Sequence, residues 1–162
     1  MYPAKPYLKS LYLVVAVLAA ASDQIVKNLV FSAHAPILFD LGDFFRIEHA
    51  LNTGAVFGVG QGMNEFFTLL SAAFLVVMVP FFFAYFLPMK GNALTAIAGG
   101  LAYGGVMGNY IDRLLYGSVR DFITVYTWPT FNLADSCICV GVIYLSYVLI
   151  FEDESHGKEG AV

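Results

Sequence analysis

The chain has 162 residues, of which 59% are hydrophobic and only 12% are charged, whereas soluble domains average roughly 45 to 50% apolar and about 25% charged residues. The mean hydropathy is +0.74, so this composition excludes a water-soluble domain and indicates apolar surface that faces lipid. The net charge of -4 excludes nucleic-acid binding, which needs a basic face. Cys137 and Cys139 are two positions apart, a spacing that suits neither a disulfide framework nor a zinc site.

Four apolar stretches approach or exceed the roughly 20 residues that a helix needs to cross a bilayer. They predict spans at about residues 8–31, 66–89, 91–114 and 132–151. We therefore expect an all-α membrane protein with four transmembrane helices, in which residues 1–151 form one domain and residues 152–162 an acidic cytoplasmic tail. A cleavable signal peptide at the N-terminus is the alternative, but the apolar face continues through Phe31 and favours a span.

The Lys and Arg residues orient these helices only weakly, because four lie on each side of the membrane. Lys27 and Arg113 lie inside predicted helix ends rather than in loops. When these two residues are left out of the count, more Lys and Arg residues lie on the side of the termini, which favours cytoplasmic termini. This orientation places nearly every ionisable group in or beside the membrane at one depth, near the outer surface. Ionisable groups at membrane depth are by default the sign of a functional site.

Two local patterns predict how the spans are connected and packed. Phe45-Arg46-Ile47-Glu48 alternates apolar and polar residues, as a short strand does, and Asn52-Thr53-Gly54 predicts a turn. We expect a small β-structured cap on the outer face at about residues 36–62. In the third span a small residue recurs every fourth position, which favours close helix packing; these residues are Ala96, Gly100, Gly104 and Gly108.

Two acidic residues of the spans have structural explanations. Asp23 and Lys27 are four positions apart with the acid first, the favourable order for a helical ion pair. Asp112 lies near the C-terminus of the third span, where the helix dipole disfavours an anion. It therefore requires a nearby cation, which could be Arg113 or Lys27.

Two further carboxylates compete with Asp112 for a chemical role. Asp135 fits the third position of a helix that Asn132 caps. Asp121 lies between β-forming residues and has the weakest structural explanation. The residues alone do not separate Asp121 from Asp112 as the reacting group.

Four motifs together resemble the lipoprotein signal peptidases, also called signal peptidase II. They are Asn52-Thr53-Gly54-Ala55-Val56-Phe57, Gly108-Asn109-Tyr110-Ile111-Asp112-Arg113, Gly117-Ser118-Val119-Arg120-Asp121-Phe122 and Phe131-Asn132-Leu133-Ala134-Asp135-Ser136. The match runs in order along nearly the whole chain. The resemblance implies a bacterial inner-membrane aspartyl protease that removes the signal peptide from diacylglyceryl-modified prolipoproteins by cutting before the lipidated cysteine.

The resemblance also implies a role for individual residues. It assigns the catalytic pair to Asp121 and Asp135, and it implies a monomer in membrane lipid that needs no metal or organic cofactor and binds no nucleic acid. The residues that it implies for binding or supporting the substrate are Asn52, Gly54, Asn109, Arg113, Asn132, Asp112, Asp23 and Lys27. Val56 and Arg120 depart from the family pattern, which favours Ala and an apolar residue there, and Arg120 would alter the charge beside Asp121.

Two neighbouring carboxyl groups cannot both ionise cheaply, so they share one proton. We expect Asp135 to be the ionised member, because a helix N-terminus favours an anion, and Asp121 the protonated one. Three alternatives remain at this stage. They are a proton- or cation-coupled carrier using Asp23, Asp112 and Asp135, a metal-dependent hydrolase or transferase with Asp112, Asp121 and Asp135 as ligands, and a structural membrane protein.

Overall fold

The computed structural model describes residues 5–54 and 60–151. Val56 and the predicted acidic tail at residues 152–162 lie outside these residues. In chain order the elements are α1 (Pro6–Phe31), β1 (Ile37–Asp40), β2 (Phe45–Asn52), α2 (Asn64–Phe81), a π-helical turn (Phe82–Phe86), α3 (Leu87–Lys90), α4 (Ala93–Tyr116), β3 (Val119–Val125) and α5 (Leu133–Phe151). The strands connect to the C-terminal ends of α1 and α4 and to the N-terminal ends of α2 and α5, so the sheet lies at one end of the helices.

Three helical segments within the described residues are long and apolar enough to cross a membrane. They are Pro6–Phe31, Asn64–Phe86 and Leu133–Phe151, with mean hydropathies of 1.6, 2.4 and 2.0. The remaining long helix, α4, has 24 residues, but five of them are glycines. α4 packs against α1, α2 and α5, and its glycines lie at contacts with the neighbouring helices.

The predicted close packing of the third span is confirmed. A methyl group added at Gly104 would lie 2.4 Å from the carbonyl oxygen of Ala16 in α1, and one added at Gly105 would lie 2.5 Å from that of Ala134 in α5. Side chains at these positions would therefore push the neighbouring helices away. At the other end of the bundle the core is aromatic, where Tyr12 packs against Phe82 with a ring separation of 4.8 Å.

The predicted strand at residues 45–48 is confirmed and extends to Asn52. It forms the centre of a three-stranded antiparallel sheet in the order β1-β2-β3. The predicted cap at residues 36–62 omitted β3. This strand pairs with β2 although the two are far apart in the sequence, as the pairing of Ala50 with Asp121 shows. Asp121 lies within β3, together with the β-forming residues that flank it in the sequence.

The helix that carries Asp112 ends two residues later than predicted. We expected the span to end near residue 114, but α4 continues to Tyr116 and stops at Gly117, whose φ of 68° is the left-handed conformation that glycine adopts without steric cost. Asp112 and Arg113 lie within this helix, as predicted. Gly117 then turns the chain directly into β3.

Candidate active site

Asp121 is held on β3 by two asparagines. Its side chain is buried, with 2% of the residue exposed. Oδ1 accepts a hydrogen bond from Nδ2 of Asn132 at 2.6 Å, and Oδ2 accepts one from Nδ2 of Asn52 at 3.1 Å. The Oδ1 atom of Asn52 accepts from the backbone N–H of Gly54 at 2.9 Å. This bond within the predicted turn directs the Asn52 amide nitrogen toward Asp121.

Asp135 lies in the first turn of α5, where the predicted helix cap is confirmed. Oδ1 of Asn132 accepts from the backbone N–H of Asp135 at 2.9 Å, and Oδ2 of Asp135 accepts from the backbone N–H of Asn132 at 3.1 Å. This reciprocal pair is a capping box, in which each side chain satisfies the other residue's backbone donor. Asn132 therefore contacts both candidate catalytic carboxyl groups.

Asn109 of α4 supports the same pair from a third element. Its Nδ2 donates to Oδ1 of Asp135 at 2.8 Å. Its Oδ1 accepts from Nζ of Lys27 at 2.9 Å and from Nδ2 of Asn132 at 3.0 Å. Because the ammonium group of Lys27 can only donate, it fixes the orientation of the Asn109 amide. The two amides and Lys27 thus form one connected hydrogen-bond network beneath the carboxyl groups.

Behind this network lies a buried cluster of four charged residues from α1, α4 and β3. The predicted Asp23–Lys27 ion pair is present at 2.8 Å, and Lys27 also lies 3.2 Å from Asp112. Arg120 is the second cation on Asp112, at 2.9 Å. Because the cluster contains two carboxylates and two cations, its charges balance although Asp23, Lys27 and Asp112 are fully buried.

Two expectations about the arginines need correction. Of the two cations predicted for Asp112, Lys27 is confirmed, whereas the guanidinium of Arg113 donates instead to the carbonyl oxygen of Gly54 at 3.0 Å. Arg120 does not direct its charge toward Asp121. Adjacent residues of a strand point to opposite faces, and the side chain of Arg120 points to Asp112.

A cavity of about 420 Å³ opens onto the two aspartates. Five of the predicted site residues line it, whereas Asn132 is fully buried behind the carboxyl groups. The lining residues are Asn52, Ser71, Val106, Asn109, Arg113, Val119, Asp121, Trp128, Pro129, Thr130, Phe131, Asp135, Ser136, Ile138 and Cys139.

The sequence analysis missed most of the apolar lining residues. Ile138 and Cys139 follow Asp135 by three and four positions, a spacing that could have placed them on its helix face. Val106 precedes Asn109 by three positions, so it lies on the same face of α4. Trp128 is the single tryptophan of the chain, and no helical spacing links it to the aspartates because it lies in the loop after β3.

The surroundings of Asp121 favour its protonated form near neutrality. Burial raises the pKa of Asp121 from 3.8 to about 7, and the negative charge of Asp135 acts in the same direction. The hydrogen bonds from Asn52 and Asn132 partly oppose this rise, because they stabilise the carboxylate. A protonated carboxyl beside a second carboxyl group in a cavity can carry out general acid and base catalysis on a bound water.

The described residues contain no group of three or more His, Cys, Asp or Glu side chains placed to hold a metal ion. The three aspartates of the metal-site alternative are not brought together. Asp112 is engaged by Lys27 and Arg120, whereas the carboxyl groups of Asp121 and Asp135 are joined through Asn132.

Comparisons with known proteins agree with the resemblance seen in the motifs. Residues 15–151 match the family model described as signal peptidase (SPase) II. The lipoprotein signal peptidase of Bacillus subtilis (strain 168) is 37% identical over 158 residues, covering 92% of this chain and 99% of the relative. That of Dehalococcoides mccartyi (strain BAV1) is 43% identical over 114 residues, 70% of each chain.

Two solved structures share the fold. Both are described as bacterial membrane enzymes determined by the in meso method, at 2.3 and 1.9 Å resolution. The first has a TM-score of 0.82 and 30% identity and covers 100% of this chain; the second has a TM-score of 0.77 and 28% identity and covers 94%. The chain therefore belongs to the signal peptidase II family of aspartic-type signal peptidases.

Proposed function

We propose that this protein is an aspartyl endopeptidase that removes the signal peptide from diacylglyceryl-modified prolipoproteins and cleaves on the N-terminal side of the lipidated cysteine. Membership of the family supports prolipoproteins as the substrate class. The observation that carries the aspartyl mechanism is the pair formed by the buried carboxyl group of Asp121 and the half-buried one of Asp135, joined through Asn132 at the wall of one cavity.

Asp121 and Asp135 are the catalytic residues of this proposal. Asp135, as the carboxylate, takes a proton from a water molecule whose oxygen attacks the scissile carbonyl carbon. Asp121, as the acid, donates its proton to the carbonyl oxygen. The tetrahedral intermediate then collapses: the C–N bond breaks, Asp135 gives its proton to the leaving nitrogen, and Asp121 recovers a proton from the second hydroxyl group. Both carboxyl groups return to their initial states, so no cofactor is consumed.

The surrounding residues have separate supporting roles. Asn52, Asn109 and Asn132 orient the two carboxyl groups through the hydrogen bonds described above. Arg113 and Gly54 join the wall of the cavity to the end of β2. The charged residues behind the asparagines hold the helices in place; they are Asp23, Lys27 and Asp112.

The proposal includes an arrangement of the chain in the membrane. The family and the apolar helices support a bacterial inner-membrane protein. Within it we place four transmembrane helices, of which α4 is the third in chain order, with residues 1–151 as one domain and both termini in the cytoplasm. The sheet and the cavity then face the periplasm. The enzyme acts as a monomer, because one chain supplies both aspartates.

The cavity suits a substrate that arrives through the membrane. Its polar wall contains the aspartates and asparagines, whereas Val106, Ile138 and Cys139 form an apolar wall further along α4 and α5. A lipid-modified peptide could place its backbone at the polar wall while its acyl chains remain in the bilayer. Trp128, Pro129 and Thr130, in the loop after β3, also line the cavity.

The deciding experiment is cleavage of a diacylglyceryl-modified prolipoprotein by the purified protein in detergent. Asp121→Asn and Asp135→Asn should each abolish cleavage, and Asp43→Asn, an exposed residue of the cap, is the matched control that should retain it. Asp112→Asn should reduce activity through loss of folded protein. Each variant is measured with and without EDTA.

The outcomes separate the alternatives. Full activity of either Asp121→Asn or Asp135→Asn would refute the aspartyl pair. Inactivation of the wild type by EDTA would move the assignment to a metal-dependent hydrolase. Absence of cleavage by the folded wild type would favour a structural membrane protein.

A further inference from the structure

Arg120 occupies a position next to Asp121 on β3, and its contacts lie entirely on the other face of the strand. Its Nη2 donates to Oδ1 of Asp112 at 2.9 Å, and its Nη1 donates to Oδ1 of Asn28 at 2.8 Å. A third acceptor is Oε1 of Gln24, 3.2 Å from Nη2. One side chain of β3 is thereby bound to both α1 and α4.

The backbone of Arg120 is bound at the same place. Its N–H donates to Oδ2 of Asp112 at 2.8 Å, so a single carboxylate holds both the main chain and the guanidinium of this residue. The ring of Tyr116 lies 4.3 Å from the guanidinium carbon and that of Phe31 lies 5.8 Å away. Arg120 is 5% exposed. A planar, multiply bonded and stacked guanidinium has little freedom to move, and lysine cannot reproduce this geometry.

We infer that Arg120 is a positioning residue for catalysis: by anchoring β3 to α1 and α4 it holds Asp121 at hydrogen-bond distance from Asn132. Arg120 and Asp121 share one peptide unit, so a shift of the strand toward or away from α4 moves both. The bond between Asp121 and Asn132 is short, at 2.6 Å, and a displacement of about 1 Å can lower a catalytic rate about 100-fold. Arg120 makes no contact with the cavity, whose lining lies on the other face of β3.

This inference rests on the proposed function, and it differs from a simple role in charge balance. Removing the guanidinium of Arg120 would leave Lys27 as the only cation for Asp23 and Asp112. An uncompensated buried charge destabilises the fold whatever the catalytic role of the residue. Arg120→Lys separates the two roles, because it keeps the charge but cannot bridge Asp112, Asn28 and Gln24 at once. Asn28→Ala removes one of the acceptors without changing any charge, and Asn28 is exposed, so this variant should fold.

The test compares kcat, KM and the unfolding temperature of the full chain in detergent, with a diacylglyceryl-modified prolipoprotein as substrate. For Arg120→Lys we expect an unfolding temperature near that of the wild type, a kcat lowered about 10- to 100-fold and a KM changed by less than about twofold. Asn28→Ala should lower kcat in the same way but by a smaller factor, about threefold. Arg46→Gln is the matched control, because Arg46 lies in the same sheet and is partly exposed; its kcat should equal that of the wild type.

The inference would be overturned if Arg120→Lys had both the unfolding temperature and the kcat of the wild type. Charge balance would then be the whole role of Arg120. A change confined to KM would also overturn it, since that would indicate a contact with substrate. If Arg120→Lys does not fold, an unchanged kcat in Asn28→Ala overturns the inference and a lowered one supports it. Failure of the wild type itself to cleave would refute the proposed function, and the inference with it; normal cleavage by all the variants would refute the inference alone.

Discussion

The side-chain nitrogen of Asn132 donates to Oδ1 of Asp121 at 2.6 Å. The backbone nitrogen of the same asparagine donates to Asp135 at 3.1 Å. One residue at the N-terminus of α5 thus holds a carboxyl group of a strand and a carboxyl group of a helix in a fixed relation. Because both bonds end on carboxyl oxygens, Asn132 connects the stability of the helix terminus to the geometry of the candidate catalytic pair.

Asn132→Ala should lose both stability and activity. Removal of the cap should lower the free energy of unfolding by about 1 kcal/mol, and loss of the bond to Asp121 should lower kcat by about 100-fold or more. Asn92 is a matched control, because its Oδ1 caps α4 by accepting from the backbone N–H of Thr95 at 2.9 Å. Asn92→Ala should show a similar loss of stability without the loss of kcat. Equal kcat values for the two variants would contradict a catalytic role for Asn132.

The stability of the folded protein should depend on pH through Asp121. Burial and the charge of Asp135 raise its pKa from 3.8 to about 7, so the folded state binds the proton more tightly than the unfolded chain. The stabilisation is complete below about pH 4 and declines as the pH rises to about 7, with a slope of up to about 1.4 kcal/mol per pH unit. Asp121→Asn should lack this decline and be more stable than the wild type at pH 8.

Thermal unfolding of both proteins from pH 4 to pH 8 measures this difference. Asp43→Asn, on the exposed turn of the cap, should unfold with the same pH dependence as the wild type. In the cleavage assay the wild type should lose activity on the alkaline side as Asp121 releases its proton. Parallel stability curves for the wild type and Asp121→Asn would show that Asp121 is ionised throughout this range.

Two adjacent glycines of α4 allow a matched test of helix packing. Gly104→Ala would bring a methyl group to 2.4 Å from the carbonyl oxygen of Ala16 in α1, and Gly105→Ala would bring one to 2.5 Å from that of Ala134 in α5. Overpacking of this kind costs about 1 to 3 kcal/mol, so both variants should be less stable. Gly105→Ala should also lower kcat, because α5 carries Asp135.

The comparison is made at a temperature where both variants remain folded, with kcat corrected for the folded fraction. We expect a lower corrected kcat for Gly105→Ala than for Gly104→Ala. Equal values would indicate that displacement of α5 does not reach the carboxyl group of Asp135.

The buried ion cluster should respond to charge balance. Lys27→Met leaves Asp23 and Asp112 with Arg120 as their cation, and breaking a buried pair in this way costs about 3 to 5 kcal/mol. Asp23→Asn combined with Lys27→Met restores neutrality and keeps a side-chain oxygen for the backbone N–H of Ala134, which donates to Asp23 at 2.9 Å. The double variant should therefore unfold at a higher temperature than Lys27→Met alone.

Lys9→Met is the control for loss of a lysine from the same helix. Lys9 lies over the ring of Phe83 near the other end of α1, and its removal should change the unfolding temperature by only a few degrees. If the double variant were no more stable than Lys27→Met, the bond from Lys27 to Asn109 rather than charge balance would account for the loss.

Several features could be predicted from local sequence because their causes are local. The apolar runs indicate α1, α2 and α5, since a bilayer requires long apolar helices. The cap formed by Asn132 and Asp135 and the pair formed by Asp23 and Lys27 depend on spacings of three and four residues along one helix. The alternation of apolar and polar residues at positions 45–48 was sufficient to predict β2.

Other features required the tertiary structure, because their partners are distant in the chain. The pairing of β3 with β2 joins residues about 70 positions apart, and no local periodicity encodes which strand lies beside which. Arg120 is the second cation on Asp112 because the turn at Gly117 sends β3 back past the end of α4.

Composition and local spacing were enough to establish that this is a membrane protein, which motifs it carries, and that Asn132 caps α5. These properties follow from composition and from contacts within one or two helical turns. Only the tertiary structure brought Asn52, Asn109 and Asn132 around Asp121 and Asp135 and separated Asp112 from them. The physical reason is that a buried carboxyl group takes its properties from the donors and charges that packing places around it, and those come from four different elements of the fold.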